Sequence, residues 1–231
     1  MAAAKKVEQE IIKIKPIKIA KANITIVGDT PLLVHAWSEK AKKQMLAEQQ
    51  KESGTKIPKV KRDPFSDFME ALYWVSPKPE ENTPEAFEKA VQNGAKFGFP
   101  VIAIKQAATS ACYRAGLIPN QVGMKCSFFL SAQEGTKNSG LELAVIESSK
   151  PPYCREDMVK VGAAVKSADL RYRPCFEDWK IRLQISLCET GAFSMESVVN
   201  ALQMAGFMNG IGEWRVERDG DFGRFHVEVE E

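Results

Sequence analysis

The chain has few of the side chains from which metal sites and disulfide frameworks are built. Its 231 residues include only two histidines and five cysteines. The cysteines are odd in number, widely spaced and without a CxxC pair: Cys112, Cys126, Cys154, Cys175 and Cys188. This pattern indicates neither a disulfide framework nor a zinc site. We therefore expect no metal and no cofactor, and we expect most of the cysteines to be buried thiols.

Long apolar runs, repeats and low-complexity tracts are absent as well. No segment approaches the roughly 18 apolar residues that span a bilayer, and the first six residues lack the apolar core of a secretion signal. With 44% hydrophobic and 27% charged residues, the composition is that of a globular protein that buries one full core. We expect a cytoplasmic protein with no membrane partner.

Charge is unevenly distributed, although the net formal charge is only +2. Residues 1–62 contain 14 lysines or arginines against 6 aspartates or glutamates, whereas the rest of the chain contains 18 against 24. A basic segment of this kind favours a phosphate-bearing partner or an acidic protein surface. For any single lysine, a solvated surface is the plainer interpretation.

The periodicity of the chain predicts an α+β fold. The expected order is a strand over 22–27, a helix over 105–116, strands over 126–131 and 180–188, a helix over 194–206 and a strand over 222–229. This is the βαββαβ order of the ferredoxin-like or RRM fold, in which four antiparallel strands carry two helices on one face. The other, bare face is where such folds usually hold single-stranded nucleic acid.

A glycine-studded segment, 206–225, joins the last predicted helix to the last predicted strand. Glycines lack a Cβ atom and permit positive φ, so another backbone can approach this loop closely. Trp214 and the neighbouring arginines add stacking and positive charge. The combination suits a nucleic acid, and a plain mobile loop is the alternative.

Three segments together resemble the RAMP superfamily, the Cas7-like and related proteins of CRISPR effector complexes. They are Gly28–His35 after the first strand, Phe99–Lys105 leading into a small-residue helix, and the glycine-rich loop before Phe222–Phe225. In that family the second segment is similar to an IPxxSLKGxLR pattern, which 104–114 matches loosely. Here Lys105 precedes the body of the predicted helix.

The resemblance implies a ferredoxin-like core that holds a single strand, RNA favoured and DNA not excluded. It also implies self-association into a helical filament, with an inserted hairpin overlapping the next copy and other CRISPR effector subunits as further partners. On this basis residues 1–231 form one domain, with a helical insertion over about 38–96 and a hairpin insertion over about 141–179. A host CRISPR subunit and a free-standing, phage-borne relative both fit.

Candidate nucleic-acid contacts follow from charge, stacking and spacing. Arg171 and Arg173 stand at i and i+2, so on a strand both point to one side and can grip successive phosphates. Ion pairing with neighbouring carboxylates, such as Asp169, is the alternative. The full set of expected contacts is Lys105, Arg114, Arg171, Arg173, Trp214, Arg215, Arg218, Phe222, Arg224, Trp37, Lys40 and Lys43.

The sequence offers few candidate residues for catalysis. A metal-free ribonuclease needs a general base and acid, and some RAMP processing enzymes resemble this chain in placing a histidine where His35 stands, with Tyr113 and Lys105 as conceivable helpers. Asp29 resembles the acidic residue with which some backbone subunits cut RNA, but in its sequence context it is more often a turn former.

Three hypotheses follow. The first is a non-catalytic single-strand binder that assembles along RNA. The second is a RAMP-like endoribonuclease. The third is a Cas7-mimicking protein that interferes with an effector complex.

Overall fold

The computed structural model describes residues 16–50, 62–138, 140–161 and 167–230. Much of the basic segment, at 1–15 and 51–61, lies outside the described residues. The helices are α1 (Glu39–Gln50), α2 (Pro64–Ala71), α3 (Pro84–Gln92), α4 (Val101–Arg114), α5 (Gln121–Ser127) and α6 (Met195–Met208), with a 3-10 turn over Val216–Arg218. The strands are β1 (Ile19–Gly28), β2 (Leu32–Leu33), β3 (Gly98–Pro100), β4 (Phe128–Ala132), β5 (Gly135–Asn138), β6 (Leu141–Val145), β7 (Tyr153–Val161), β8 (Ser167–Phe176), β9 (Lys180–Cys188) and β10 (Phe225–Val229).

The largest sheet has four strands in the order β10-β1-β9-β4, and every neighbouring pair is antiparallel. Ile24 lies opposite Leu183 on one side and Val229 on the other. Because side chains alternate along a strand, one face of β9 is fully apolar and buried, at Ile181, Leu183, Ile185 and Leu187. This face forms the floor of the main core.

Helices α4 and α6 pack together over that apolar face. Small residues permit close packing: a Cβ atom at Gly206 would lie 1.9 Å from the carbonyl oxygen of Phe225 in β10. At the C-terminal end of α6, the Asn209 amide donates a hydrogen bond to the carbonyl of Ala107 in α4 at 3.0 Å. This contact fixes the start of the glycine-rich loop relative to α4.

The opposite face of the four-stranded sheet is polar. Thr25 donates to Glu230 at 2.9 Å, the Gln184 amide donates to Asn23 at 3.2 Å, and Arg182 pairs with Glu147 at 3.1 Å. Within the described chain, Phe129 is the one phenyl ring that the strand register places on this face. The face therefore lacks a row of aromatic platforms.

Two three-stranded antiparallel sheets flank the core, in the orders β2-β8-β7 and β3-β6-β5. Strands β7 and β8 form a long hairpin, and α2 packs against β8. Beneath it lies an aromatic cluster in which Phe68 is 5.2 Å from Phe87 and Trp74 is 5.0 Å from Phe97, measured between ring centroids. The hairpin is thereby anchored at its base.

The prediction of a mixed α+β protein is confirmed, with several boundaries corrected. The helix expected to begin at Lys105 begins at Val101, directly after Pro100, so Lys105 lies within the helix and not before it. Residues 126–127 end α5 and do not begin a strand. Gly206 does not end α6, which continues to Met208. At Gly206 the missing side chain makes room for β10.

All five cysteines are free. Cys112 and Cys175 are buried, whereas Cys126 and Cys154 are exposed and Cys188 is half-buried. The expectation that most are buried is therefore wrong. None of the helices in the described ranges is both long and apolar enough to cross a membrane.

Candidate functional site

The glycine-rich loop, 209–224, is held against the segment that leads from β1 into β2. The backbone N–H of Glu213 donates to the carbonyl of Leu33, and that of Gly223 donates to Pro31, at 2.9 and 2.8 Å. Gly212 has φ +79°, and a Cβ atom there would lie 2.3 Å from the Leu33 carbonyl oxygen. Only glycine fits this contact without strain. The loop thus lies beside His35, which follows β2.

Three adjoining cavities open around His35, and each of them includes this residue in its lining. The arginine cavity, of about 500 Å³, lies between β7, β8 and the loop; its lining is His35, Val159, Arg171, Arg173, Glu213, Trp214, Arg215 and Arg218. The helix cavity, of about 350 Å³, lies between α4 and the loop. The third, also of about 350 Å³, lies towards α1 and α2 and includes Arg62, Asp169 and Tyr172.

Arg173 forms the floor of the arginine cavity. Its side chain is only 7% exposed and lies 3.6 Å from Asp157 and 3.5 Å from Glu213. Neither its Nε nor its Nη1 has a hydrogen-bond partner within the described residues. Burial lowers the pKa of Arg173, against the opposing effect of the two carboxylates. The charge is therefore held at an electrostatic cost, which an anion in the cavity would offset.

The other arginines of the cavity differ in how far their charges are already paired. Arg171 pairs with Asp169 at 2.9 Å, and Arg215 pairs with Glu217 at 2.9 Å. Arg218 is exposed and forms no ion pair with any residue in the described ranges. Arg218 is consequently the side chain most available to a phosphate.

Asp169 links two arginines, Arg62 and Arg171. It accepts hydrogen bonds from Arg62 at 2.5 Å and from Arg171 at 2.9 Å. Although burial alone would raise the pKa of Asp169, the two arginines hold it below its usual value. A carboxylate thus bridges two arginines, as the ion-pair interpretation of Arg171 expected.

Aromatic rings lie at the edge of the arginine cavity. Trp214 has φ +48° and lines the cavity, and its ring centroid is 6.4 Å from that of Phe222. The guanidinium group of Arg155, on β7, lies 4.7 Å from the Phe222 ring centroid and 5.9 Å from that of Trp214. The hairpin and the loop are therefore joined through a cation and two rings.

His35 is half-buried where the cavities meet. Burial lowers its pKa, Glu213 opposes that effect, and Arg173 and Arg171 add to it. The imidazole is therefore neutral near pH 7. Its expected helpers are elsewhere: Lys105 is buried with its ammonium group 4.1 Å from the Phe129 ring centroid, and Tyr113 lines none of the three cavities. Tyr73 lies beside it and donates to the His35 carbonyl at 3.3 Å.

Asp29 belongs to a separate cluster at the sheet. Its Oδ1 lies 2.6 Å from Nδ1 of His226, whose Nε2 is 3.8 Å from Glu228. Asp29 and His35, the two weak catalytic candidates, are therefore not brought together around one cavity. Within the described residues, no group of three or more His, Cys, Asp or Glu side chains is arranged to hold a metal.

The remaining expected contacts do not line the arginine cavity. Arg114 pairs with Glu217 at the rim of the helix cavity, and Arg224 lies 3.4 Å from Asp221 and 5.7 Å from the Phe207 ring centroid. Trp37 is 65% exposed, and Lys43 is exposed on α1. Lys40 lies on α1, but its side chain lies outside what the structure describes.

Sequence reasoning missed Arg155, Glu213 and Tyr73. Arg155 lies directly opposite Arg173 in the hairpin register, but the pairing of β7 with β8 was not part of the prediction. Glu213 is one of four acidic residues that are interspersed with three arginines in the loop, and its sequence position alone does not distinguish it from the others. The alternation of Arg155 with Asp157 along β7 was the signal that could have found the first of these.

No protein-family model matches the chain, and the curated proteins contain no match to its sequence.

Proposed function

We propose that the protein binds single-stranded nucleic acid, RNA by preference, through the arginine cavity, and that copies assemble along the strand. The observation that carries this proposal is the convergence of four arginines from two distant segments on one cavity. Arg171 and Arg173 come from the hairpin, and Arg215 and Arg218 come from the loop. The lining contains one acidic side chain, Glu213, and the ring of Trp214. Guanidinium groups beside an aromatic ring suit phosphates and bases together.

The sheet topology supports a ferredoxin-like core. In chain order the four core strands are β1, β4, β9 and β10. In the sheet, β10 lies beside β1, and β9 lies between β1 and β4. In the sequence, α4 lies between β1 and β4, and α6 lies between β9 and β10. Both helices pack over one face of the sheet. A βαββαβ chain of the ferredoxin-like type has the same element order.

The proposed path of the strand differs from the one expected from the fold type. The bare face of the sheet carries hydrogen-bonded polar pairs and one phenyl ring, Phe129, whereas the arginines lie in the cavity between hairpin and loop. We therefore assign the strand to the arginine cavity. Arg182 on the bare face then becomes a useful control, because it is an exposed arginine outside the cavity.

The hairpin supports the assembly part of the proposal. Met158 and Leu170 lie opposite each other on its outer face, 67% and 41% exposed. Three side chains of the inner face, Val159, Arg171 and Arg173, line the arginine cavity. The hairpin thus presents charge to the strand and an apolar pair outward, to the next copy or to another effector subunit.

The experiment is fluorescence anisotropy with a labelled single-stranded RNA, the same sequence as single-stranded DNA, and the RNA duplex. We expect single-stranded RNA to bind most tightly and the complex to grow with RNA length in size-exclusion chromatography. Arg218→Glu should weaken binding strongly, and Arg182→Glu, a matched charge reversal on the bare face, should have a small effect. Equal losses in both variants would contradict the site. No binding to any nucleic acid, beside tight binding to an effector complex, would favour the Cas7-mimicking function.

One observation favours the endoribonuclease as a second candidate. His35 is neutral near pH 7 and lines all three cavities, so it is placed to accept a proton from a 2′-hydroxyl of bound RNA. RNA incubated with the protein, with and without a chelator, tests this activity. Cleavage that survives the chelator and is lost in His35→Gln would support it, and intact RNA in both conditions would leave binding alone.

A further inference from the structure

The helix cavity has the character of a pocket for a flat, uncharged group. It is about 350 Å³ in volume, within the range of about 300 to 1,000 Å³ that is usual for small-ligand pockets. It shares His35, Glu213 and Arg215 with the arginine cavity. One nucleotide of a strand bound in the arginine cavity can therefore reach into the helix cavity.

Charge in the helix cavity differs from charge in the arginine cavity. Its lining contains two carboxylates, Glu213 and Glu217, against two cations, Arg215 and Lys125, and the neutral His35. Glu217 is tied to Arg215 and Arg114 by ion pairs. With no excess of positive charge, this cavity does not favour a second phosphate.

The remaining lining offers hydrogen bonds and aromatic surface. Gln106 and Ser110 on α4 and Gln121 on α5 can each donate and accept, and Tyr73 and Phe99 contribute rings. Gly210 and Gly212 have φ of +65° and +79°, so this part of the lining consists of backbone without side chains. A nucleobase has a flat apolar face and an edge of donors and acceptors, which is the chemistry that this combination matches.

We infer that one base of the bound strand rotates away from its neighbours and inserts into the helix cavity, while its phosphate stays in contact with the arginines of the arginine cavity. Amide and hydroxyl groups of Gln106, Ser110 and Gln121 then contact the edge of the base, and Glu213 accepts from an exocyclic amino group. This inference rests on the proposed binding of a single strand. It adds a preference among bases, which an arginine-lined cavity alone does not supply.

The test fills the helix cavity and substitutes none of the four arginines. Ala103 lines this cavity, whereas the neighbouring Ile102, on the same helix, is 50% exposed and lines none of the three cavities around His35. Ala103→Trp is the filling variant and Ile102→Trp is its control. The probes are labelled oligo-A, oligo-U and oligo-C of equal length, and a fully abasic ribose-phosphate strand of that length.

We expect the unmodified protein to discriminate among the three homopolymers and to bind the best of them about tenfold or more tightly than the abasic strand. Ala103→Trp should remove the discrimination and keep the affinity for the abasic strand, and Ile102→Trp should behave as the unmodified protein. Ser110→Leu, a smaller intrusion, replaces Ala103→Trp if circular dichroism shows that the tryptophan variant is unfolded.

Unchanged discrimination in the folded filling variant would overturn the inference, and so would equal affinity of the unmodified protein for all three homopolymers. Failure of the proposed function gives a different result, because the unmodified protein would then bind neither the homopolymers nor the abasic strand.

Discussion

The guanidinium group of Arg155 lies over the ring of Phe222, 4.7 Å from its centroid, and so joins the β7–β8 hairpin to the glycine-rich loop. Arg155 also donates to Asp157 at 2.7 Å, and the side chain of Asp157 is only 2% exposed. One side chain thus both covers a ring of the loop and donates to Oδ1 of a buried carboxylate, whose Oδ2 has no hydrogen-bond partner within the described residues. The geometry of the arginine cavity depends on this link, because two of the four arginines stand on each side of it.

Arg155→Ala should lower the free energy of unfolding by about 1 to 3 kcal/mol, because a buried carboxylate loses its closest donor. Urea unfolding measures the change. Arg182→Ala, which breaks an exposed pair with Glu147, should change stability by no more than about 1 kcal/mol. Adding Asp157→Asn to Arg155→Ala should recover part of the loss. Equal stabilities of Arg155→Ala and Arg182→Ala would contradict the role of Asp157.

Trp214→Ala should weaken binding of single-stranded RNA by about 1 to 3 kcal/mol, the usual contribution of a base stacked on an aromatic ring. Trp37→Ala is the matched control, since Trp37 is exposed and lines none of the three cavities. Anisotropy titrations at one salt concentration measure both variants. If Trp37→Ala has the larger effect, the stacking platform is at the start of α1 and not in the loop.

Salt dependence separates phosphate contacts from base contacts. The logarithm of the association constant falls linearly with the logarithm of salt concentration, with a slope near −0.7 for each phosphate neutralised on a single strand. Arg218→Ala should make this slope shallower by about that amount, because Arg218 is exposed and forms no direct ion pair within the described residues. Trp214→Ala should leave the slope unchanged. A slope that is the same in Arg218→Ala and the unmodified protein would show that Arg218 does not contact phosphate.

His35 should make the protein less stable as the pH falls from about 7 to 5. Burial lowers its pKa from the ordinary value of 6.5, so the unfolded chain takes up a proton at a higher pH than the folded protein. The stability that neutral His35 contributes is complete above the unfolded pKa and is lost as the pH falls below it. Urea midpoints across this range measure the loss.

His35→Gln provides the comparison, because it should flatten the profile between those pH values. Asp169 and Glu217 also have lowered pKa values, but their ordinary values are 3.8 and 4.5, so their contributions are lost at more acidic pH. A profile for His35→Gln that runs parallel to that of the unmodified protein would show that another group titrates.

Gly206→Ala should be clearly destabilising, by about 1 to 3 kcal/mol, because the new methyl group overlaps the Phe225 carbonyl. Gly123→Ala in α5 is the control, as nothing lies within 4 Å of a Cβ atom there. That variant should be neutral or slightly stabilising, since alanine favours helix. Thermal unfolding distinguishes the two. A stable Gly206→Ala variant would mean that α6 and β10 can move apart.

The local features of this fold were readable from the sequence, and the long-range ones were not. The alternation in β9 predicted a strand over 180–188, which is its observed extent. The helix predicted to begin at 194 is capped there, since Ser194 accepts from Ser197 N–H at 3.1 Å. Both signals depend on neighbouring residues. Lys105 was expected to contact phosphate, but its burial over Phe129 depends on how α4 meets β4, which periodicity does not encode.

The candidate site was only partly predictable for the same reason. Charge and spacing selected Arg171, Arg173, Arg215 and Arg218, and the structure brings these four to one cavity. The four side chains come together only because the glycine-rich loop is hydrogen-bonded to Leu33, which is far from the loop in the sequence. Arg224, chosen by the same criteria, turns to Asp221 and Phe207 and away from this cavity. Residue type identified the candidates, and tertiary contacts decided among them.

The antiparallel pairing of β1 with β10 has a consequence for biosynthesis. Nearly two hundred residues of chain must leave the ribosome between these neighbouring strands, and the loop that rests on Pro31 and Leu33 emerges just before the second of them. One edge of β1 therefore stays unpaired until β10 has emerged, and the arginine cavity forms only after the loop that precedes β10 has left the ribosome.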